Sequence, residues 1–122
     1  MKQPMNDKTL KTIDAGGRAL GRVASEAAMS LMGKTKATFE RHKYSGFPVK
    51  VINASKLRIT AKKLEAIYHT RYSGISGGLR VLKGVETAKT KGLKELIRLA
   101  TYRMLPGNKL RRVMMKHLII ND

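Results

Sequence analysis

Cysteine is absent from this chain, and acidic residues, aromatic residues and long apolar runs are scarce. Without cysteine the protein has neither a disulfide framework nor a thiolate metal site, as is usual in a reducing compartment. Its histidines, His42, His69 and His117, are far apart in sequence and have no pair of acids beside them, so we expect no bound metal. No stretch approaches the roughly 18 apolar residues of a membrane-spanning helix, and the start MKQPMNDKTLK lacks the apolar core of a signal peptide. We therefore expect a cytoplasmic protein.

The shortage of acids makes the chain strongly basic. Lys and Arg number 26 against 8 Asp and Glu in 122 residues, which gives a net charge of +18. Self-repulsion of this size opposes folding unless a polyanion neutralises it, so a nucleic acid or an anionic membrane is the expected partner. Membrane binding needs an amphipathic helix with bulky apolar residues opposite its basic side, and the only candidate, residues 109–116, is short. Nucleic acid is therefore favoured, and the length corresponds to one domain, residues 1–122.

The same shortage argues against an enzyme. The eight acids are dispersed at positions 7, 14, 26, 40, 65, 86, 95 and 122, so no pair of carboxylates is expected in one cleft. The glycine-rich stretch RYSGISGGLR, residues 71–80, matches neither the dinucleotide fingerprint G-x-G-x-x-G nor the Walker loop G-x-x-x-x-G-K-[ST]. We expect no catalytic residue, no cofactor and no small-molecule substrate.

Apolar spacing predicts alternating strands and helices. A strand over residues 10–14 leads into a turn at Gly16 and Gly17 and then into a helix that ends at Gly33. Further strands are predicted over residues 49–53, with an extension over 57–59, and over 66–73. The helix has one apolar face, made of Leu20, Val23, Ala24, Ala27, Ala28 and Leu31. The alternation is typical of an α/β domain with helices packed on a small sheet.

The last third of the chain predicts two helices. An apolar stripe indicates the first helix, which Pro106 and Gly107 end. Asn108 can cap a second, short basic helix over residues 109–116. The stripe of the first helix consists of Leu93, Leu96, Ile97, Ala100 and Met104, and the inward-facing residues of the second are Leu110, Val113 and Met114.

The charges are segregated along the chain. Acids are missing from residues 41–64 and 96–121, whereas Lys and Arg recur in both segments. Such segregation builds a continuous positive face, and at this net charge polyanion binding explains it better than solubility alone.

Two glycine-containing motifs suit phosphate. In residues 71–80 the glycines free the backbone, while hydroxyl and guanidinium groups suit anionic oxygens. In DAGGRALGR, residues 14–22, a glycine turn followed by a helix N-terminus could hold a phosphate, with Arg18 and Arg22 on the exposed side. In both motifs the glycines could instead only turn the chain, and Asp14 could only cap the helix.

Aromatic residues are few, which bears on how RNA would be bound. Tyr68, His69 and Tyr72 share one predicted strand, in which alternation places the tyrosines on one face and the histidine on the other. With so few aromatic residues in the chain, core or hydrogen-bonding roles are favoured over base stacking.

Four motifs in order resemble one family. DAGGRALGRVAS, VINASKLRIT, YHTRYSGISGGL and YRMLPGNKLRR are similar to segments of the bacterial-type large-subunit ribosomal protein thirteen family, and the resemblance runs from about Ile13 to Ile120. It implies a three-layer α/β/α domain with a small four-stranded, largely parallel or mixed sheet. It also implies a structural role in the large ribosomal subunit, with binding of its rRNA and entry early in assembly. The partners it implies are that rRNA and neighbouring large-subunit proteins.

The chain departs from the family pattern at several places. Leu10 and Lys11 stand where the family usually has Trp-Tyr, which leaves the packing of the first strand open. Gly46-Phe47 replaces Gly-Asp, and MLPGNKLRR carries Gly107 for a lysine and Arg111 for a glycine. A carboxyl-terminal extension usual in the family is not seen, so we expect a reduced version of it.

These motifs and basic segments together give the candidate RNA-binding residues. A free basic nucleic-acid-binding regulator is the alternative, and a nucleotide-dependent enzyme using DAGGRALG is a third hypothesis. The candidates are Arg18, Arg22, Lys34, Lys36, Arg41, Lys43, Lys56, Lys62, Lys63, Arg71, Ser73, Gly74, Ser76, Gly77, Gly78, Arg80, Arg103, Lys109, Arg111 and Arg112.

Overall fold

A computed structural model describes residues 10–37 and 39–122 of the chain. The first nine residues, part of the stretch inspected for a signal peptide, lie outside the described residues. The strands are β1 (Lys11–Asp14), β2 (Val49–Ile52), β3 (Tyr68–Tyr72), β4 (Leu79–Lys83) and β5 (Leu118–Ile120). The helices are α1 (Leu20–Met32), α2 (Ala61–Ala66), α3 (Gly84–Lys91), α4 (Leu93–Met104) and α5 (Leu110–Lys116), with a 3-10 turn at Ala54–Lys56.

Strands β1, β2 and β5 form a parallel sheet in that order. Ile13 is paired with Val51, which is paired in turn with Ile120 on the next strand. Side chains alternate along a strand, so these three residues share one face of the sheet. Ile13 and Val51 are buried, whereas Thr12 on the opposite face is exposed. The core therefore lies against one face.

Helices α1 and α4 cover that face and pack against each other. The strand order contains no reversal, and right-handed crossovers that advance in one direction place their helices on the same side. The predicted α/β class is confirmed. In the described residues the parallel sheet has three strands where four were expected, and α1 and α4 form one helical layer on it where two were expected.

The predicted extension over residues 57–59 is reduced to a single parallel bridge between Ala19 and Arg58. The reason is local, because β2 ends at Ile52 and Asn53 then adopts the left-handed conformation, with φ of 57°. The 3-10 turn follows at once, so the chain leaves the sheet before it can form a ladder.

Helix α1 follows its sequence pattern closely. All six residues of its predicted apolar face are buried. Gly33 ends the helix with φ of 79°, and its backbone N–H donates to the carbonyls of Met29 and Ser30 at 3.1 and 3.2 Å. A residue with a Cβ is strained in this conformation, which explains glycine at the helix end.

Two apolar residues in the last third of the chain are exposed, although their spacing predicted that they face the core. Met104 is 44% exposed and Val113 is 37% exposed, so both predictions of inward-facing side chains are wrong. In α4 the inward position is taken by Thr101, which is fully buried and donates its hydroxyl to the Ile97 carbonyl at 2.8 Å. Apolar spacing could not detect this position, because a threonine satisfied within its own helix occupies it.

Strands β3 and β4 form a separate antiparallel hairpin, which α2 precedes and α3 follows. The strand predicted over residues 66–73 is confirmed as β3, whereas β4, α2 and α3 were not predicted. Helix α2 has only six residues and is capped by Thr60, whose hydroxyl accepts from the Lys63 N–H at 3.3 Å. Short elements with few apolar residues give little periodicity to detect.

Candidate nucleic-acid interface

The glycine-rich stretch forms the tip of the hairpin. The Gly78 N–H donates to the Ile75 carbonyl at 2.9 Å, and the Ser73 N–H donates to the Gly78 carbonyl at 3.4 Å. Gly74 and Gly77 have φ of 86° and 77°, values that favour glycine. A Cβ added at Gly78 would overlap the Ser73 hydroxyl. The turn itself therefore accounts for these glycines, while Ser73, Ser76 and the other tip residues up to Gly77 remain exposed.

Arg71 and Arg80 lie directly opposite each other on the two strands of the hairpin. Paired residues in an antiparallel ladder share one face, so both guanidinium groups project from the same side. Like charges in this arrangement destabilise a hairpin unless an anion lies between them. Both residues are exposed, and the pair is the feature of the hairpin best suited to a bound phosphate.

We predict opposite effects of Arg80→Glu on stability and on RNA binding. The substitution creates an attractive cross-strand pair with Arg71, so the hairpin should gain about 0.2–1 kcal/mol. The affinity for RNA should fall, because one cation is replaced by an anion. Thermal melting and filter binding on the same preparation test this, with Arg58→Glu, at an exposed position outside the candidate set, as control. A fall in both quantities would show that Arg80 supports the fold instead.

The other face of the hairpin is open and largely apolar. Tyr68 and Tyr72 are 62% and 65% exposed, and Leu79 and Val81 lie on the same side of the ladder. The predicted alternation is confirmed, since His69 faces the other way and is buried. Of the core or hydrogen-bonding roles favoured for the tyrosines, the core role is wrong, because in the described residues no element packs over this face of the two-stranded sheet.

A groove of about 430 Å³ lies between the inner face of the hairpin and helix α4. It brings Arg71 of β3 together with Arg98 and Arg103 of α4, residues some thirty positions apart in sequence. Arg98 is held by Glu95, whose carboxylate oxygens accept from the guanidinium at 2.6 and 2.9 Å. This pairing lowers the pKa of Glu95 below its usual range. The side chains of Arg71 and Arg103 make no hydrogen bond or ion pair within the described residues.

The basic surface continues from α4 onto α5. Arg98 and Tyr102 also line a second groove of about 640 Å³, together with Lys109, Arg111 and Arg112. The Arg111 guanidinium lies over the Tyr102 ring at 4.2 Å from its centre, a cation–π contact that fixes α5 against α4. We call these two grooves and the Arg71–Arg80 pair the hairpin–α4–α5 surface.

Asn108 orients the basic residues of α5. Its side-chain oxygen accepts from the backbone N–H groups of Leu110 and Arg111 at 3.1 and 3.2 Å, as predicted for a helix cap. We expect Asn108→Ala to lower the free energy of unfolding by about 0.5–2 kcal/mol through loss of these bonds. Chemical denaturation measures this free energy. Asn108→Ser keeps a capping oxygen, so its free energy of unfolding should be close to that of the parent protein. Equal losses for both variants would show that capping is not the cause.

A third groove, of about 640 Å³, lies along α1 and contains two of the candidates. Arg22 is exposed there, but the Arg18 guanidinium donates to Glu26 at 2.7 Å and thereby lowers the pKa of that carboxyl. Asp14 does not cap α1, whose first residues receive no side-chain cap. Its carboxylate instead accepts from Asn53 at 3.0 Å and from the Gly16 N–H at 2.9 Å, and these bonds lower its pKa.

The remaining candidates lie in smaller groups. Lys34, Arg41 and Lys43 line a groove of about 280 Å³ beside Pro106 and Asn108, so they adjoin the start of α5. Lys36 lies with its ammonium 4.0 Å from the centre of the Phe47 ring. Exposed side chains at other places complete the set, namely Lys56 after β2 and Lys62 and Lys63 on α2.

Three residues of the interface were missed by sequence reasoning, namely His69, Arg98 and Tyr102. Only the packing of the hairpin near α4 brings them together with Arg71 and Arg103. Arg98 belonged to a segment already recognised as free of acids, and this was the one usable signal. In the described residues no helix is long and apolar enough to cross a bilayer, and no three potential metal ligands gather.

An α/β domain with its cations collected on neighbouring grooves is typical of proteins that bind a polyanion. Comparison with known sequences is consistent with this class: residues 8–121 match the family of ribosomal protein L13. The chain is 45% identical to large ribosomal subunit protein uL13 of Caldanaerobacter subterraneus over 106 residues, or 87% of this chain and 73% of that protein. It is 42% identical to the protein of that name from Pelotomaculum thermopropionicum over 121 residues, or 97% and 83% of the two chains.

The chain therefore belongs to the ribosomal protein L13 family. It is a structural protein of the cytoplasmic ribosome and not an enzyme, which confirms the resemblance and removes the hypothesis of a nucleotide-dependent enzyme.

Proposed function

We propose that this protein is a structural constituent of the large ribosomal subunit that binds large-subunit rRNA and supports early subunit assembly. Its similarity to proteins called large ribosomal subunit protein uL13 supports the location. The observation that carries RNA binding is the hairpin–α4–α5 surface, where five arginines and a lysine, namely Arg71, Arg98, Arg103, Arg111, Arg112 and Lys109, line two adjoining grooves. We further propose that residues 1–122 act as one RNA-binding domain.

The charge on this surface is largely uncompensated. Within residues 10–37 and 39–122 only Arg98 has an acidic partner there, Glu95, and α5 contains no acid at all. Uncompensated guanidinium groups in a groove bind phosphate oxygens, often with two hydrogen bonds each. The duplex or loop of an rRNA supplies such oxygens in a continuous track, which a single small anion does not.

A second surface supports a role inside an assembly. The outer face of the hairpin exposes Tyr68, Tyr72, Leu79 and Val81, and the tip exposes Ile75 at 72%. Contiguous apolar side chains of this kind usually mark contacts with other macromolecules. We propose that neighbouring large-subunit proteins or rRNA cover this face.

Binding of rRNA should depend steeply on salt. The logarithm of the association constant should fall linearly with the logarithm of salt concentration, with a slope of about −0.7 to −0.9 for each phosphate neutralised. Several phosphates should be involved, because two grooves contribute cations. The measurement is filter binding of the isolated protein to large-subunit rRNA over a range of KCl concentrations. A slope near zero would refute binding through the phosphate backbone.

Sedimentation separates a ribosomal constituent from a free nucleic-acid-binding regulator. We expect the protein to stay with purified large subunits after a high-salt wash, because a constituent of the particle is enclosed by its contacts. Recovery of the protein in the wash, with affinity for many unrelated RNAs, would favour the regulator.

A further inference from the structure

We propose that the groove between β3 and α4 is a discrete binding site for one phosphate group, in which His69 acts as a neutral hydrogen-bond donor beside Arg71 and Arg103. The inference deepens the proposed function, on which it rests for the identity of RNA as the natural source of that phosphate. It assigns a role to His69, which is not among the exposed basic residues.

His69 is the unusual member of the groove. The residue is only 8% exposed, and its Nδ1 atom is inaccessible to solvent. Nevertheless, this nitrogen has no hydrogen-bond partner in the described residues. Burial, together with the charge of Arg103, lowers the pKa of His69, so the ring is neutral at pH 7. Glu95 acts in the opposite direction, but its carboxylate is already paired with Arg98.

A neutral imidazole carries one proton, on either of its nitrogens. At Nδ1 that proton would have no acceptor, and an unsatisfied buried donor costs about 1–3 kcal/mol. We therefore assign the proton to Nε2, the ring nitrogen left to face the groove that His69 lines. The groove thus combines a neutral N–H donor with two guanidinium groups that form no ion pair in the described part of the chain.

This set of donors selects an anion with several oxygens. The arginines repel any metal cation, and Arg71 and Arg103 can each donate two hydrogen bonds in one plane. A carboxylate has two oxygens to accept them, whereas a phosphate has additional oxygens for the His69 N–H. Tyr102 also lines the groove.

The test is a titration of the isolated protein followed by NMR of the His69 ring. Inorganic phosphate at constant ionic strength should shift the His69 signals and raise the midpoint of its pH titration, because a nearby anion favours the imidazolium form. Acetate and chloride should have much smaller effects. Arg103→Gln should weaken phosphate binding by about tenfold, the order expected for one charged hydrogen-bonding partner.

Two variants keep this test specific. Arg58→Gln removes the same charge at an exposed position outside the groove, and it should leave phosphate affinity within about twofold. Arg103→Lys keeps the charge but not the planar pair of donors. Its affinity for phosphate should therefore lie between those of Arg103→Gln and the parent protein. Equal responses of His69 to phosphate and acetate, or equal losses in Arg58→Gln and Arg103→Gln, would overturn the assignment.

The source of the phosphate is tested with two further ligands. A single-stranded RNA oligonucleotide should shift the same His69 signals at a lower concentration than ADP does. Tighter binding of ADP would overturn the assignment to RNA. The inference and the proposed function can fail separately. If the protein assembles into large subunits but the His69 signals do not respond to phosphate, only the inference is refuted. A protein whose His69 responds but which never enters the subunit refutes only the proposed function.

Discussion

Reversing three charges, with Arg103→Glu, Lys109→Glu and Arg112→Glu, should weaken binding to large-subunit rRNA by about 100-fold or more at physiological salt. Each loss removes a phosphate partner, typically worth about 1 kcal/mol or more, and each new carboxylate repels the backbone. All three side chains are exposed and make no ion pair in the described residues. Stability should change little, because exposed charges seldom govern folding. Filter binding and thermal melting of the isolated variant measure the two effects.

The control is a second triple variant with the same change in net charge. Arg58→Glu, Lys89→Glu and Lys91→Glu alter exposed positions that lie outside the candidate set. Long-range attraction to RNA falls equally in both variants, so the difference between them reports contacts at the hairpin–α4–α5 surface. Similar affinities of the two variants would show that overall charge, and not this surface, determines binding.

Gly46→Ala should destabilise the protein by about 3 kcal/mol, near the upper end for overpacked sites. The loop before β2 packs directly on the end of α1, where the Phe47 N–H donates to the Ser30 carbonyl at 3.0 Å. A Cβ at Gly46 would overlap the Leu31 carbonyl, which belongs to rigid helical backbone. The loop must therefore move away from the helix or the helix must shift. Chemical denaturation at pH 7 measures the loss.

Gly21→Ala is the matched substitution. Gly21 lies inside α1, and a Cβ there meets no atom within 4 Å apart from its chain neighbours and the nearby backbone of its own helix. Because glycine disfavours the helix relative to alanine, this variant should gain about 0.5–1 kcal/mol. If Gly46→Ala were as stable as Gly21→Ala, the close contact between the loop and α1 would not exist in solution.

The parts of the fold that the sequence predicted well are those with strong periodicity. Helix α1 carries apolar residues on the face that is buried, and it ends at Gly33, whose left-handed conformation favours glycine. The strand β2 alternates between buried and partly exposed residues, as its β-branched pattern indicates. These elements form the core, where burial enforces the pattern.

The remaining elements depend on tertiary contacts. Strand β4 reads LRVLK, and its residues are mostly exposed, so no burial pattern marks it as a strand. It forms because the glycine turn brings it back onto β3. The number of strands in the parallel sheet and the side on which the helices cover it depend on how distant strands pair. Local sequence patterns do not encode that pairing.

The candidate site was predicted in part for the same reason. Net charge and acid-free segments predicted a set of candidate cations, since charge is a property of composition. They did not show which of these cations are neutralised by an acid. Arg18, one of the candidates, is paired with Glu26. Nor did they place His69 beside Arg71 and Arg103, because that grouping arises only where the hairpin meets α4.

Contact with rRNA through the hairpin–α4–α5 surface is tested most directly by ultraviolet crosslinking of purified large subunits, with the crosslinked peptides of this protein identified by mass spectrometry. We predict crosslinks within residues 68–83 and 98–112, and fewer in residues 84–91 of α3, which lie outside both grooves. Crosslinks concentrated in α3, with none on the hairpin or in the grooves of α4 and α5, would contradict the placement of the RNA.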